Sequence, residues 1–336
     1  MLNFEAANYN PALPMVEPSE ALMSSAPPGD ASVETLTFSM SDACAGLRLD
    51  QALARLMPEH SRSRIRTWID AGCVSVDDHP AAAKQKVLGG ERVVVKPQPD
   101  PAAVAFVAQD LPLKIVYEDD SLIVIDKPPG LVVHPGSGNW QGTLANALLH
   151  HAPELASVAR AGIVHRLDKD TSGLLVVART PTAQTDLVRQ LQARTVRREY
   201  TALVHGDVAH GGTVDAPIGR HPVKRTSMAV VANGRKAVTH YEIRERLGST
   251  TLLTCRLETG RTHQIRVHLA SIGHPLVGDP TYGRRGGPEF WRQALHASTL
   301  GLVHPRSGES MSWHSPLAAD FTQLLASLET SRAAHG

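Results

Sequence analysis

The sequence predicts an α+β protein: a mixed, mainly antiparallel sheet domain preceded by a smaller module. Three observations carry this. The length of 336 residues suits about two domains. Past residue 110, short β-rich runs recur at 114–117, 122–126, 174–178, 199–206, 237–244 and 251–258, and helical stretches at 142–151, 182–194 and 262–272 separate them. Strands that outnumber helices, with Gly-rich turns, fit a mixed sheet better than a doubly wound one. Finally, Lys96-Pro-Gln-Pro-Asp-Pro101 places three prolines in six residues, a stiff extended boundary between the two parts.

In chain order, residues 1–40 are rich in Pro, Ala, Ser and Glu, with no sustained apolar period, and read as a disordered tail. Residues 46–96 read as a compact module. Leu49, Leu53 and Leu56 recur at spacings of four and three, so 49–57 is an amphipathic helix ended by Pro58. Ser61 is placed to cap a second helix over 62–71, which stops at Gly72. Residues 74–76 and 92–95 alternate as short strands around the Asp77-Asp78 turn. Arg62 and Arg66 lie one turn apart on the second helix, with Arg55 on the first. Residues 97–109 are the Pro-rich linker and 110–330 the large domain.

Composition excludes several classes. Hydrophobic residues make up 42% and charged residues 20%, enough for a globular core. No run approaches the ~18 apolar residues of a membrane span, and the N-terminus lacks the basic and apolar regions of a secretory signal. Cys44, Cys73 and Cys255 are odd in number and far apart, which argues for neither a disulfide framework nor a metal knuckle but for a reducing cytoplasm. No Gly-rich phosphate loop follows a strand, so no nucleotide cofactor is assigned. His263 and His268 lack a metal-site spacing and read as hydrogen-bonding residues. The net charge of +1 hides a partition: residues 160–300 carry 21 basic and 11 acidic side chains. That excess fits either a polyanionic partner or a solvated basic surface.

The densest chemical signal is HRLDKDTSGLLVVA, residues 165–178. A block of mixed charge sits between Ile163-Val164 and an apolar strand. It is poor core material, and on its own reads equally as a cleft loop or as a charged surface loop.

The motifs settle which. HRLDKDTSGLLVVA resembles the signature of the RluA-type pseudouridine synthases. Three further blocks resemble that family's motifs in order: VIDKPPGLVVHP (124–135), REY (198–200) and LETGRTHQIRVH (257–268), the last followed by HPLVGDPTYG (274–283). Residues 47–56 and 61–78, LRLDQALARL and SRSRIRTWIDAGCVSVDD, resemble the S4 RNA-binding domain. The resemblance implies an S4-like domain joined to a pseudouridine synthase catalytic domain, which isomerises uridine in RNA without cofactor or metal. HPGSGNW (134–140), HPVKRT (221–226) and QALHA (293–297) point within the family to the branch acting on 23S ribosomal RNA, at the helix 69 stem-loop. A monomeric cytoplasmic enzyme is expected, with the large-subunit RNA or its precursor as partner. The alternatives are the same chemistry on other 23S or tRNA sites, or a non-catalytic RNA-binding assembly factor.

By the same resemblance Asp168 is the catalytic aspartate, Asp170 stands outside that role, Tyr200 is the active-site tyrosine, and Arg261 is the arginine that pairs with Asp168. Arg166 matches the position that fills the stack a flipped base leaves. Arg62, Arg66, Lys224, Arg225 and Arg266 are candidates for RNA phosphate contacts, with Arg235 and Lys236 beside them. The chemistry fits: exchanging an N–C for a C–C glycosidic bond needs one ionised carboxylate, and no redox centre or metal.

Overall fold

The computed structural model describes residues 35–98, 105–136, 138–224 and 226–335. The chain divides into two compact units, Met1–Pro99 and Asp100–Gly336.

The first unit comprises β1 (Leu36–Ser39), α1 (Leu49–Leu56), α2 (Arg62–Asp70), β2 (Val74–Val76), β3 (His79–Pro80) and β4 (Arg92–Val95). Its strands pair in the order β1-β4-β2-β3. Leu49 and Leu53 of α1 pack on Ile65, Trp68 and Ile69 of α2 and on Val93 and Val95 of β4. The Ser61 side chain accepts the backbone N–H of Arg64, so the second helix begins where the capping residue predicts. One expectation is corrected. The tail assigned to residues 1–40 includes β1, whose four residues pair antiparallel with β4; Leu36 and Phe38 pack on the module's core. The rest of that tail, residues 1–34, lies outside the described residues, as do residues 99–104 of the linker.

The second unit comprises β5 (Ile115–Glu118), β6 (Leu122–Lys127), α3 (Leu144–His151), β7 (Ser172–Ala178), α4 (Pro181–Ala193), β8 (Arg197–His205), β9 (Gly212–Asp215), β10 (Ile218–Arg220), β11 (Met228–Val230), β12 (Val238–Leu247), β13 (Thr250–Leu257), α5 (Gln264–Ser271), β14 (Leu295–Val303), β15 (Ser310–His314) and α6 (Ala319–His335). Its main sheet runs β5-β6-β7-β14-β8-β13-β12-β9, with β15 paired to β14, and only β7–β14 is parallel. β10 and β11 form a separate ribbon.

The central strands are buried on both faces, so their sequence is almost continuously apolar. On one face Ile123, Ile125, Leu175, Val177, Ala202 and Val204 meet α3 and α5. On the other, Val124, Leu174 and Val176 meet Ala183 and Leu187 of α4, and Leu203 and Leu252 meet Phe321 and Leu324 of α6. Two glycines are dictated by close approach. A Cβ on Gly173 would lie 2.2 Å from the Ala297 carbonyl oxygen, and one on Gly162 1.9 Å from that of Ala178, and both residues have positive φ. The Ser-Gly of the signature therefore lets β7 start flush against β14. Among the described residues no helix is long and apolar enough to cross a membrane.

Candidate active site

The loop between Ile163 and β7 opens onto a cleft of about 860 Å³. Asp168 stands in its floor, and Tyr200 of β8 and the 258–263 turn between β13 and α5 line its walls. Arg160, Arg166, Arg194, Arg198, Arg235 and Arg261 also line it, against the two carboxylates of Asp168 and Glu258. The positive excess of residues 160–300 is therefore concentrated around this opening.

The loop carrying Asp168 is held by side chains from other segments, mostly through its backbone carbonyls. The Lys127 ammonium, fully buried at the end of β6, donates to the carbonyls of Pro128, Leu131 and Lys169 at 2.7, 3.0 and 2.8 Å. Burial pushes its pKa down to about 7, with the Asp170 charge opposing. Gly130 N–H donates to the same Lys169 carbonyl. Arg292, buried and paired with Asp320, donates to the Asp170 carbonyl at 3.1 Å. Gln293 donates to the Thr171 hydroxyl at 3.2 Å. Asp168 is thus flanked on the C-terminal side by three fixed positions.

The arginine on Asp168 is Arg266, and this corrects the sequence expectation twice. Its Nη1 donates to Asp168 Oδ2 at 3.0 Å, while Nε and Nη2 grip both oxygens of Asp279 at 2.7 and 2.9 Å. Arg266 is 5% exposed, Asp279 0% and Asp168 16%, so Arg266 faces the floor and not RNA phosphates. Arg261, expected to pair with Asp168, instead donates through Nε to the Lys236 carbonyl at 3.1 Å on the cleft wall. The physical reason is position: Gln264 through Leu269 of the eight-residue α5 are all buried, whereas Arg261 precedes the helix on a partly exposed turn. For Asp279, burial alone would raise the carboxyl's pKa. The hydrogen bonds and charge of Arg266, with the N–H groups of Tyr282 and Thr281, override that and hold it below its usual value.

Sequence reasoning left two further residues without a place in the floor. Tyr282 accepts the Met228 N–H at 2.8 Å, and its hydroxyl lies 2.9 Å from His263 Nδ1. Burial lowers the pKa of His263, with the Asp168 charge opposing, and the ring is neutral. His263 Nε2 lies 3.9 Å from Asp168 Oδ1. Tyr282 also stacks under the Arg266 guanidinium, 5.1 Å from its carbon to the ring centre. The sequence signal for both lies in the GRTHQIR and DPTYG blocks.

Tyr200 is buried in the apolar face of β8, and burial raises its phenol pKa while the Arg198 charge opposes, so it stays protonated at neutral pH. His165 accepts the Val176 N–H at 3.1 Å; burial, then Arg198, push its pKa to about 3, which makes it a neutral structural group. Arg166 is exposed at the cleft and Lys224 is exposed on the β10–β11 connection; Arg225 lies outside the described residues. In the first unit, Arg62 and Arg66, the candidates for RNA contact, have side chains 47% and 54% exposed and also form ion pairs. Arg62 shares the buried Asp50 with Arg48, at 2.9 and 3.1 Å, and Arg66 pairs with Asp70 one turn on at 3.5 Å. His268 bonds Thr239 Oγ1 and the Ala216 carbonyl, both at 2.9 Å.

Comparison with known proteins places these features. Residues 121–271 match the model of the RNA pseudouridylate synthase family, and residues 47–93 the S4 domain. The chain is 59% identical over 299 residues to the ribosomal large subunit pseudouridine synthase D of Nitrosomonas europaea, covering 87% of each chain. It is 52% identical over 315 residues to the same-named protein of Haemophilus influenzae, covering 90% of this chain and 97% of that one. Among solved structures, human RNA pseudouridylate synthase domain containing 1 superposes with a TM-score of 0.51 at 27% identity, over 66% of this chain and 96% of that one.

Proposed function

The chain belongs to the RNA pseudouridylate synthase family and is a pseudouridine synthase, and we propose that its substrate is large-subunit ribosomal RNA, at uridines of the helix 69 stem-loop. Relatives named for the large ribosomal subunit, aligned over most of both chains, support the RNA. The helix 69 target rests on the 134–140, 221–226 and 293–297 segments. The observation that carries the reading is the Asp168–Arg266–Asp279 cluster at the floor of an arginine-walled cleft.

The residues divide the work as follows. Asp168 is the carboxylate that meets the target nucleotide. Arg266 supplies its counter-charge, and Asp279 fixes Arg266 in two-pronged geometry, so the carboxylate does not have to be ordered during the reaction. Tyr200, a residue only 6% exposed, offers a ring face to the uracil and a phenol proton. A base reached here must leave its stack, at a cost of a few kcal/mol, smallest for a loop nucleotide. Arg166 at the cleft is placed to fill the space left behind. A uridine seated in the cleft displaces water from its floor, which favours rejoining the base through carbon over hydrolysis. The S4-like unit adds RNA contacts of its own.

The test is conversion of a helix 69 stem-loop by the purified protein, read by tritium release from 5-tritiated uridine and by position-specific mapping. Conversion at loop uridines is expected. Absence of conversion there, with conversion of another RNA, would move the target and leave the chemistry standing.

A further inference from the structure

Arg198 differs from the other buried arginines of this unit. Arg266 has Asp168 and Asp279, and Arg292 has Asp320. Arg198 is 7% exposed, yet among the described residues no carboxylate lies within ion-pairing distance of it. Its one hydrogen bond is a long one, from Nη2 to the Glu258 carbonyl at 3.4 Å. Its Nε is buried and has no partner. Such a group is costly to retain, because a buried charge without a counter-ion forfeits its hydration.

The location explains why it is kept. Arg198 stands two residues before Tyr200 on β8, so both side chains fall on one face of the strand, and both line the cleft. The opposite wall is cut to fit it: a Cβ on Gly260 would come 2.9 Å from Arg198 Nη1. Its charge is felt by Tyr200 and His165. A uridine drawn into the cleft brings its own phosphodiesters. A full negative charge with two free oxygens complements an unpaired guanidinium fork better than the partial charge of a uracil carbonyl does.

We propose that Arg198 is a substrate-binding residue whose guanidinium, lining the cleft without a carboxylate partner, receives a phosphodiester oxygen of the target nucleotide. Docking the phosphate there sets the depth of the sugar and hence the distance of the base from Asp168 and Tyr200. This rests on the RNA substrate read above and identifies one contact within it.

The experiment pairs Arg198→Met with stem-loop RNAs that carry a single neutral methylphosphonate on either side of the target uridine, read as single-turnover rate against RNA concentration. With wild-type enzyme, one of the two substitutions should raise the half-saturating concentration at least tenfold. With Arg198→Met, the unmodified RNA should show a similar rise, and the same methylphosphonate should add little more, under threefold. Gly260→Ala, which crowds the guanidinium without removing it, should reproduce part of that loss, and it serves as the second variant if Arg198→Met fails to fold. If the losses multiply at both positions for the variant that folds, the phosphate contact is wrong. If non-additivity appears instead with 2-thio- or 4-thiouridine, Arg198 reads a base carbonyl and the proposal is overturned. Wild-type turnover of the unmodified stem-loop is the separate control on the RNA target. Should it fail, the target reading falls alone, and the same scan is run on the RNA that the enzyme does convert.

Discussion

Replacing Arg266 by Met removes the cation shared by two carboxylates while keeping an unbranched side chain that fills much of its path. Arg266 and Asp279 are essentially out of water, and Asp168 is nearly so. Removing one partner of a buried, hydrogen-bonded pair costs about 3–5 kcal/mol, because the charge left behind has no solvent to return to. For a unit of this size that is on the order of 10 °C in Tm. The pH dependence identifies the cause. Asp279 has a folded pKa below its unfolded value, so in the wild type it contributes stability above the unfolded pKa of about 3.9, and this is lost as pH falls through the folded value. In the variant only burial and two N–H groups act on Asp279, and the group changes from stabilising to destabilising at neutral pH. The stability gap between wild type and variant should therefore be widest near pH 7 and narrow toward pH 4. Asp279→Asn combined with Arg266→Met should recover part of the loss, since the stranded charge is gone. The assay is calorimetric unfolding from pH 4 to 8, with single-turnover activity measured where each variant is still folded. A gap below about 1 kcal/mol that does not change with pH would show that Arg266 is not the buried hub described here.

Other consequences are more local. Asp168→Asn should abolish turnover with RNA affinity within about threefold, whereas Asp170→Asn should keep substantial activity, because Asp170 is held through its carbonyl by Arg292; equal loss in tritium release would remove the distinction. Lys127 has its folded pKa depressed to about 7 from an unfolded value near 10.4, so its protonation opposes folding increasingly as pH drops from about 10 toward 7. The stability difference between wild type and Lys127→Met should accordingly grow in favour of wild type from pH 7 to 9.5, and thermal unfolding that shows no such trend would contradict it. Arg62→Ala should destabilise the first unit by about 1–2 kcal/mol through Asp50, with a small effect on RNA affinity, testable by urea titration beside a binding isotherm. Deleting residues 1–97 should weaken RNA binding and flatten its salt dependence while leaving single-turnover chemistry at saturating RNA; a folded but inactive truncation would refute the division of labour.

Much of the fold was legible because its long strands are apolar and its turns are marked. The stretches 122–126 and 174–178 became β6 and β7 with boundaries moved by at most two residues. The sequence reading left out β14 and β15, although β14 lies at the centre of the sheet. Residues 295–303, LHASTLGLV, mix small polar residues with apolar ones, and their pairing with β7, β8 and β15 is long-range, so no local period announces a strand. β1 was hidden for a similar reason: four residues after a Pro- and Ser-rich stretch become a strand only by joining β4. In the site, the motif containing the arginine was visible, but which of its two arginines meets Asp168 depended on helix geometry. Arg266 sits among Ile265, Val267 and Leu269, a burial pattern that argued against a surface phosphate contact. The neutral His263 and the Tyr282 support were beyond reach of spacing alone, since each depends on residues from three separate segments meeting in space.

The central claim is that this chain converts uridine in large-subunit ribosomal RNA with Asp168 as the essential carboxylate. It is tested most directly by mapping pseudouridine along 23S ribosomal RNA from cells that lack the protein and cells that carry either the wild type or Asp168→Asn. Pseudouridines in the helix 69 loop should vanish without the protein, return with the wild type, and stay absent with Asp168→Asn expressed at the same level. Pseudouridines that persist in its absence, or that Asp168→Asn restores, would contradict the account.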